Sequence, residues 1–227
     1  MKRSEINLAI KKAKELLSEN KFYLPEFSEW TIKDWKENNK ESAMIVRNGL
    51  GWDITDFGLG RFYNIGATIF TIRNDRLTPP RIGLTYAEKI IILEENQIIP
   101  MHFHFTKTED IINRGNGVLC VKLFNCKEDE SIDTESDVTV WCDGIQRKFS
   151  AGEEVDFLPG RSITISHGLY HSFWAKEGAG ALIAGEVSAL NDDKIDNRFA
   201  EPVSRFAQVV EDELADCVLC NEYERLL

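Results

Sequence analysis

Hydrophobic residues recur every three to four positions near the N-terminus and at shorter intervals in the middle of the chain. The helical spacing is carried by Ile6, Ile10, Ala13 and Leu17. It predicts a helix over residues 5–19, with Ser4 as the N-cap. Tryptophan and isoleucine among the charges of residues 22–39 indicate a second short helix, and the acidic tail from residue 208 to 227 indicates a helical segment.

From Ala67 onward the pattern changes to short runs that are rich in β-branched and aromatic residues. Turn dipeptides such as Asp143-Gly144 and Pro159-Gly160 separate these runs. Many short strands at fairly regular spacing are typical of a β-sandwich or barrel. The predicted strands are 68–72, 89–93, 98–105, 118–124, 138–142, 154–158, 162–166, 171–175 and 181–187.

This organisation predicts one mainly β domain over residues 1–227. Residues 1–60 form a helical N-terminal arm, residues 61–190 the β-barrel core, and residues 191–227 a C-terminal extension. A chain of this length can bury a substantial core, and all-β domains often reach this size undivided.

Charge and cysteine content narrow the function classes. The 27 Lys and Arg against 38 Asp and Glu leave a formal charge of −11, which argues against nucleic acid and anionic membranes as partners. No apolar stretch is long enough to cross a bilayer, and the first residues do not resemble a signal peptide.

The five cysteines suit a reducing compartment, and Cys217-x-x-Cys220 lacks the second pair of cysteines that a zinc site would need. We expect a cytoplasmic protein with a small neutral substrate.

The chain has four histidines, and they fall in two clusters. His102 and His104 are two residues apart, so in a strand both imidazoles lie on one face. Glu109 follows after a turn, and His167 and His171 form the second cluster. Histidine is the commonest metal-ligand side chain. Three imidazoles and one carboxylate favour Mn, Fe, Zn, Co or Ni over Mg or Ca.

The fourth ligand is a choice between His167 and His171. Gly168 predicts a turn at His167, whereas His171 precedes an interior-type run, Ser-Phe-Trp. We therefore predict His102, His104, Glu109 and His171 as the metal ligands. His167 remains an alternative, either as a substrate contact or as a solvated turn residue.

These motifs resemble a known family. The spacing from His102 to Gly115 resembles the first cupin motif, and Gly152 to His171 resembles a looser form of the second, with His171 further past Pro159-Gly160 than usual. The run 102–115, Gly-Leu-Tyr-His-Ser-Phe-Trp at 168–174, and the runs 185–188, 191–193 and 201–206 resemble the D-lyxose isomerase family. The resemblance covers most of the chain.

The resemblance implies a cupin jelly-roll barrel with a divalent metal, often manganese, and a homodimer. It implies interconversion of D-lyxose with D-xylulose, and of D-mannose with D-fructose. The reaction moves hydrogen between C1 and C2, so a carboxylate can shuttle the proton. Glu201, in the family-like Glu-Pro-Val-Ser-Arg-Phe run, is the first candidate for this base, and Glu186 is its rival. Lys107 is the candidate that polarises or protonates a substrate oxygen.

Asp193, Arg205, Trp174 and Glu186 are the candidate substrate-binding residues, the first two through sugar hydroxyls and Trp174, together with Phe173, as an apolar wall. Three alternatives stay open from the sequence. A hydride shift needs the same metal but no carbon-directed base. A non-haem iron dioxygenase uses similar ligands, and a non-catalytic sugar-binding cupin uses the same fold.

Overall fold

The structure, a computed structural model, describes residues 1–190, 192 and 195–226. Its helices are α1 (Arg3–Glu19), α2 (Ile32–Glu37), α3 (Ala43–Arg47) and α4 (Tyr223–Leu226), and a short 3-10 helix spans Glu26–Ser28. The strands are β1 (Gly51–Thr55), β2 (Ala67–Arg73), β3 (Tyr86–Leu93), β4 (Ile98–His104), β5 (Glu109–Asn116), β6 (Leu119–Cys126), β7 (Ile132–Asp133), β8 (Val138–Cys142), β9 (Ile145–Phe149), β10 (Glu154–Phe157), β11 (Ser162–Ile165), β12 (Leu169–Ala175), β13 (Leu182–Ala189) and β14 (Asn197–Phe199).

The strands form two antiparallel sheets that face each other. One has the order β1-β2-β3-β13-β5-β11-β8-β9, and the other has the order β10-β6-β12-β4-β14. From β3 to β6, and again from β10 to β14, successive strands alternate between the two sheets. This alternation is that of a jelly roll, so the mainly β fold class predicted from the sequence is confirmed.

Five strands depart from the sequence-based prediction. β1 lies inside the predicted helical arm, yet it extends the larger sheet by pairing with β2. β5, β7, β9 and β14 are too polar or too short to show an apolar period. In the described part of the acidic tail the helical segment is limited to α4.

The N-terminal helix covers the outer face of the larger sheet. The apolar face of α1 packs on side chains from β1, β2 and β3, such as Trp52 and Phe70. β2 therefore has one face against α1 and the other in the barrel, which explains why nearly all its residues are buried. The tryptophans of the arm also pack within the chain, since Trp35 contacts Trp30 and Tyr223.

The barrel interior holds the main hydrophobic core, which is built from residues of both sheets such as Ile91, Ile111, Val121 and Phe173. No helix in the described part of the chain is long and apolar enough to cross a membrane. At one end of the barrel this core gives way to charged and histidine side chains, where the candidate site lies.

A buried arginine on α1 forms ion pairs with two glutamates of the C-terminal segment. Arg3 is fully buried, with its Nε 2.8 Å from Oε2 of Glu211 and its Nη2 2.5 Å from Oε1 of Glu222. Arg225 also reaches both carboxylates. Mainly through its hydrogen bond from Arg3, Glu211 has its pKa lowered to about 2.

We expect Arg3→Ala to lower the free energy of unfolding by about 3 kcal/mol, because it removes one partner of a buried ion pair and leaves the buried Glu222 with Arg225 as its only charged partner among the described residues. Denaturant unfolding at pH 7 measures this loss. A carboxylate with a depressed pKa stabilises the fold above its ordinary pKa, and this contribution disappears as the pH falls from about 4.5 toward 2. The difference in the free energy of unfolding between the unmodified protein and Arg3→Ala should therefore become smaller as the pH falls over that range.

Lys12→Ala is the control on the same helix. The ion pair of Lys12 with Glu94 is exposed, with a 3.3 Å separation, so its loss should cost less than about 1 kcal/mol. Equal losses for the two variants would show that Arg3 has no special part in holding the C-terminal segment.

Candidate active site

Pairing between β4 and β12 brings three histidines together inside the barrel. His102 and His104 share one face of β4, and His171 of β12 lies opposite His102 in the antiparallel register. One ring nitrogen from each histidine lies within 4.8 Å of the others. All three side chains are buried. A cluster with this spacing and chemistry can hold a transition-metal ion.

Hydrogen bonds to backbone carbonyls orient two of these rings. Nδ1 of His102 lies 2.7 Å from the carbonyl oxygen of Pro100, and Nδ1 of His171 lies 2.9 Å from that of Leu169. Because a carbonyl only accepts, each Nδ1 donates, and each Nε2 keeps its lone pair for a metal. Burial, and then the neighbouring imidazoles, lower the pKa of His102 well below its usual value, which favours the neutral form that metals bind.

Unpartnered ring nitrogens give an independent test of whether a metal fits. Both ring nitrogens of His104 are buried and have no hydrogen-bond partner among the described residues. Buried polar atoms in proteins are normally satisfied. The donor set therefore fits a metal ion, which would satisfy a ring nitrogen of His104.

Glu109 enters the cluster from the other sheet, as the first residue of β5. Its Oε1 lies 2.9 Å from Nε2 of His171 and 3.5 Å from Nε2 of His104, and its Oε2 lies 2.7 Å from Nζ of Lys107. Burial opposes its ionisation, but the Lys107 ammonium and then His104 hold the pKa of Glu109 well below its usual value. The structure thus brings together all four predicted metal ligands.

A second buried carboxylate lies on the other side of Lys107. Oε1 of Glu186, on β13, is 2.9 Å from Nζ of Lys107 and 3.3 Å from Nζ of Lys89 on β3. The Ser188 hydroxyl donates to the same oxygen at 3.1 Å. Lys107 therefore bridges Glu109 and Glu186, and the Glu186 carboxylate contacts two ammonium groups.

Asp196 shapes the loop that carries Lys107. Its carboxylate accepts from the backbone N–H groups of Thr106 and Lys107 and from the Thr106 hydroxyl, at 2.8 to 3.2 Å. It also lies 3.9 Å from Nδ1 of His104. Since these contacts cross about ninety residues of sequence, they fix the β4–β5 loop against the segment before β14.

The cluster opens into a cavity of about 440 Å³, a volume that includes the open solvent at its mouth. Its charged wall combines His102 and His104 with Lys107, Glu109, Lys89, Glu186 and Arg205. The apolar wall is formed by Phe57, Ile69, Ile91, Ile99, Phe173 and Phe199. Ligand sites commonly combine an apolar lining with a few polar groups in this way.

Several residues singled out from the sequence lie elsewhere. Trp174 lies on the opposite face of β12 from His171, near Nζ of Lys122, and its neighbour Phe173 lines the cavity instead. Glu201 is exposed and does not contribute to the cavity wall. His167 is exposed on the turn before β12. Asp193 lies outside the described residues.

Three residues at this site were missed by reading the sequence. Lys89 had a visible signal, because it is a lysine at the edge of an isoleucine run, where a charge is costly unless it is paired. Asp196 lies among other acidic residues, and Asp53, a buried partner of Arg205, lies in a glycine-rich passage that reads as turns. Sequence alone does not distinguish them from solvated carboxylates.

Comparison with known proteins places this geometry in a family. The sequence model described as D-lyxose isomerase matches residues 1–223. A D-lyxose/D-mannose isomerase of Escherichia coli O157:H7 is 42% identical over 226 residues, which cover 99% of both chains. One from Serratia proteamaculans is 40% identical over 228 residues and covers both chains completely.

Solved structures give a likeness of fold. The L-ribose isomerase of Cellulomonas parahominis, solved with L-ribose, aligns with a TM-score of 0.58 at 15% identity, over 92% of this chain and 98% of that one. The L-ribose isomerase of Acinetobacter sp. DL28 aligns with a TM-score of 0.56 at 16% identity over the same shares.

Proposed function

The chain belongs to the D-lyxose isomerase family, and on that premise we propose that it is a metal-dependent aldose–ketose isomerase. Its substrates are D-lyxose and D-xylulose, and also D-mannose and D-fructose. One observation carries the mechanism: two members of a three-histidine cluster line a cavity together with a buried carboxylate and a lysine, Glu186 and Lys107.

His102, His104 and His171, together with Glu109, would hold a divalent metal, and we propose manganese. When bound, such an ion acts as a Lewis acid and stabilises negative charge on substrate oxygens. The ammonium group of Lys107, 2.7 Å from Glu109, keeps that carboxylate ionised and so available as a ligand.

Glu186 is the group that moves the carbon-bound proton. Converting an aldose to a ketose removes the proton from C2 and adds one to C1. A carboxylate in reach of both carbons can do both, passing through an enediolate. Glu186 is buried in the cavity, and Lys89, Lys107 and Ser188 hold its carboxylate in place. Glu201, predicted as the base, is exposed, and so the proposal passes to its rival.

Lys107 completes the proton balance at oxygen. During the reaction O1 gains a proton and the hydroxyl on C2 loses one. The ammonium of Lys107 can donate to O1, and the resulting amine can accept from O2. Its position between two carboxylates, at 2.7 and 2.9 Å, fixes Nζ near both groups, as a relay requires.

The remaining parts of the proposal concern partners and location. The relatives are isomerases, so the dioxygenase and the non-catalytic sugar-binding protein are not favoured. The substrate is a small sugar, and we propose a cytoplasmic homodimer without nucleic-acid or membrane partners. All five cysteines are free thiols, which is compatible with a reducing compartment. Sedimentation velocity tests the dimer.

We expect manganese-loaded protein to convert D-lyxose to D-xylulose and D-mannose to D-fructose without consuming oxygen. A chelator should abolish turnover, and added Mn²⁺ should restore it and raise the melting temperature, because a ligand that binds only the folded state stabilises it. Product chromatography of a panel of aldoses and ketoses measures the activity. Binding without turnover, or turnover unaffected by complete metal removal, would contradict the proposal.

A further inference from the structure

An ion pair with a buried carboxylate lies beside the cavity, between β1 and the segment after β14. Oδ2 of Asp53, on β1, is 2.7 Å from Nη2 of Arg205, which lines the cavity. In the β1–β2 register Asp53 is opposite Ile69, another cavity residue. Directly paired residues share a face of a sheet, so Asp53 points into the barrel from beneath Arg205.

The backbone of Arg205 is held as firmly as its side chain. The Thr55 hydroxyl donates to the Arg205 carbonyl at 2.8 Å, and the N–H of Ser204 donates to the Phe57 carbonyl at 3.0 Å. Gly58 allows this close approach, because a Cβ there would lie 2.9 Å from Cβ of Ser204. The guanidinium is therefore presented to the cavity in one orientation, with little freedom left to lose when a ligand binds.

Asp53 lies on the same inner face of the larger sheet as the reacting groups. Asp53 on β1 pairs with Ile69 on β2, and Ile69 pairs with Ile91 on β3. Lys89, two residues before Ile91 on β3, pairs with Glu186 on β13. An open-chain sugar with C1 and C2 beside Glu186 and the histidines would extend its other carbons over the two isoleucines. Its last hydroxyl would then approach Arg205.

Asp53 has a further feature that stability does not explain. Its side chain is buried, yet Oδ1 has no hydrogen-bond partner among the described residues. A buried carboxylate oxygen without a partner destabilises the folded state, and such groups call for an explanation. A role in holding Arg205 in place for a ligand would explain why a buried aspartate is present at this position.

Resting on the proposed function, we propose that Asp53 is a positioning residue for substrate specificity. It orients Arg205 so that the guanidinium donates a hydrogen bond to the terminal hydroxyl of the open-chain sugar, the one farthest from C1. The pair thereby selects sugars that end in a primary alcohol. No covalent step is involved, and the effect falls on binding more than on proton transfer.

The test compares D-lyxose with 5-deoxy-D-lyxose, which lacks only the terminal hydroxyl. Asp53→Asn keeps the size of the side chain and removes its charge. With D-lyxose we expect kcat/KM to fall roughly 10- to 100-fold, mainly through KM, the range for losing a charge-assisted hydrogen bond. With 5-deoxy-D-lyxose, where that bond is absent, the variant and the unmodified protein should differ by less than about twofold.

Arg205→Met gives a second route that does not depend on the folding of the Asp53 variant. It should show the same dependence on the terminal hydroxyl, and adding Asp53→Asn to it should change kcat/KM little further, because the aspartate acts through the arginine. Equal losses with both sugars, or additive losses in the double variant, would overturn the inference. Failure of the unmodified protein to convert D-lyxose would instead overturn the proposed function.

Discussion

Replacing His171 with alanine is expected to lower kcat by about a thousandfold or more and to abolish stoichiometric metal binding. His171 supplies one of the three clustered nitrogens, and its ring is fully buried against His102. A bound metal contributes several kcal/mol of charge stabilisation, and each 1.36 kcal/mol corresponds to a tenfold change in rate. Turnover of D-lyxose and metal content measured by mass spectrometry together test this.

His167→Ala is the matched control, because His167 is the histidine nearest to His171 in the sequence but lies outside the three-histidine site. That residue is exposed on a turn, so metal content and kcat should stay within about twofold of the unmodified protein. Circular dichroism checks that both variants fold. Loss of metal in His167→Ala with retention in His171→Ala would reverse the assignment of the fourth ligand.

Replacing Glu186 with glutamine is expected to lower kcat by about 10² to 10⁴-fold, the usual contribution of a positioned acid–base group. The substitution preserves the size of the side chain while removing the carboxylate that accepts the proton. Metal content should remain unchanged, because the three histidines and Glu109 are untouched. Steady-state kinetics with D-lyxose, together with metal analysis, separate this loss from the loss in His171→Ala.

Glu201→Gln decides between the two carboxylates. Glu201 is exposed, and its replacement should change kcat by less than about twofold. In deuterated water the unmodified protein should place solvent deuterium at C1 of D-xylulose, and Glu186→Gln should lose this incorporation together with turnover. Complete retention of the substrate hydrogen would indicate a hydride shift, and a greater loss in Glu201→Gln would restore the base predicted from the sequence.

The sequence was most informative where function depends on local geometry. A spacing of two residues places His102 and His104 on one face of any strand, so their pairing needed no knowledge of the rest of the fold. The apolar periods of α1 and of the central strands were equally local. β5 was missed although it begins with Glu109, because the polar run Glu-Asp-Ile-Ile-Asn-Arg-Gly-Asn resembles a loop.

The sequence was least informative where two chemically similar or adjacent residues are both candidates and only one of them lines the cavity. Phe173 and Trp174 follow each other, and only the face of β12 that turns inward decides that the phenylalanine lines the cavity. Glu186 and Glu201 are both carboxylates in family-like runs. Burial distinguishes them, and burial depends on which strands pair.

By itself, therefore, the sequence determined a mainly β barrel and a histidine cluster suited to a metal, because strand period and residue chemistry are local properties. Only the tertiary structure decided which carboxylate stands beside Lys107, how Asp196 holds the loop that carries it, and that Asp53 lies beneath Arg205. These arrangements join residues as far apart in sequence as Asp53 and Arg205. Their proximity comes from sheet register and from the packing of one sheet on the other, which no short stretch of sequence encodes.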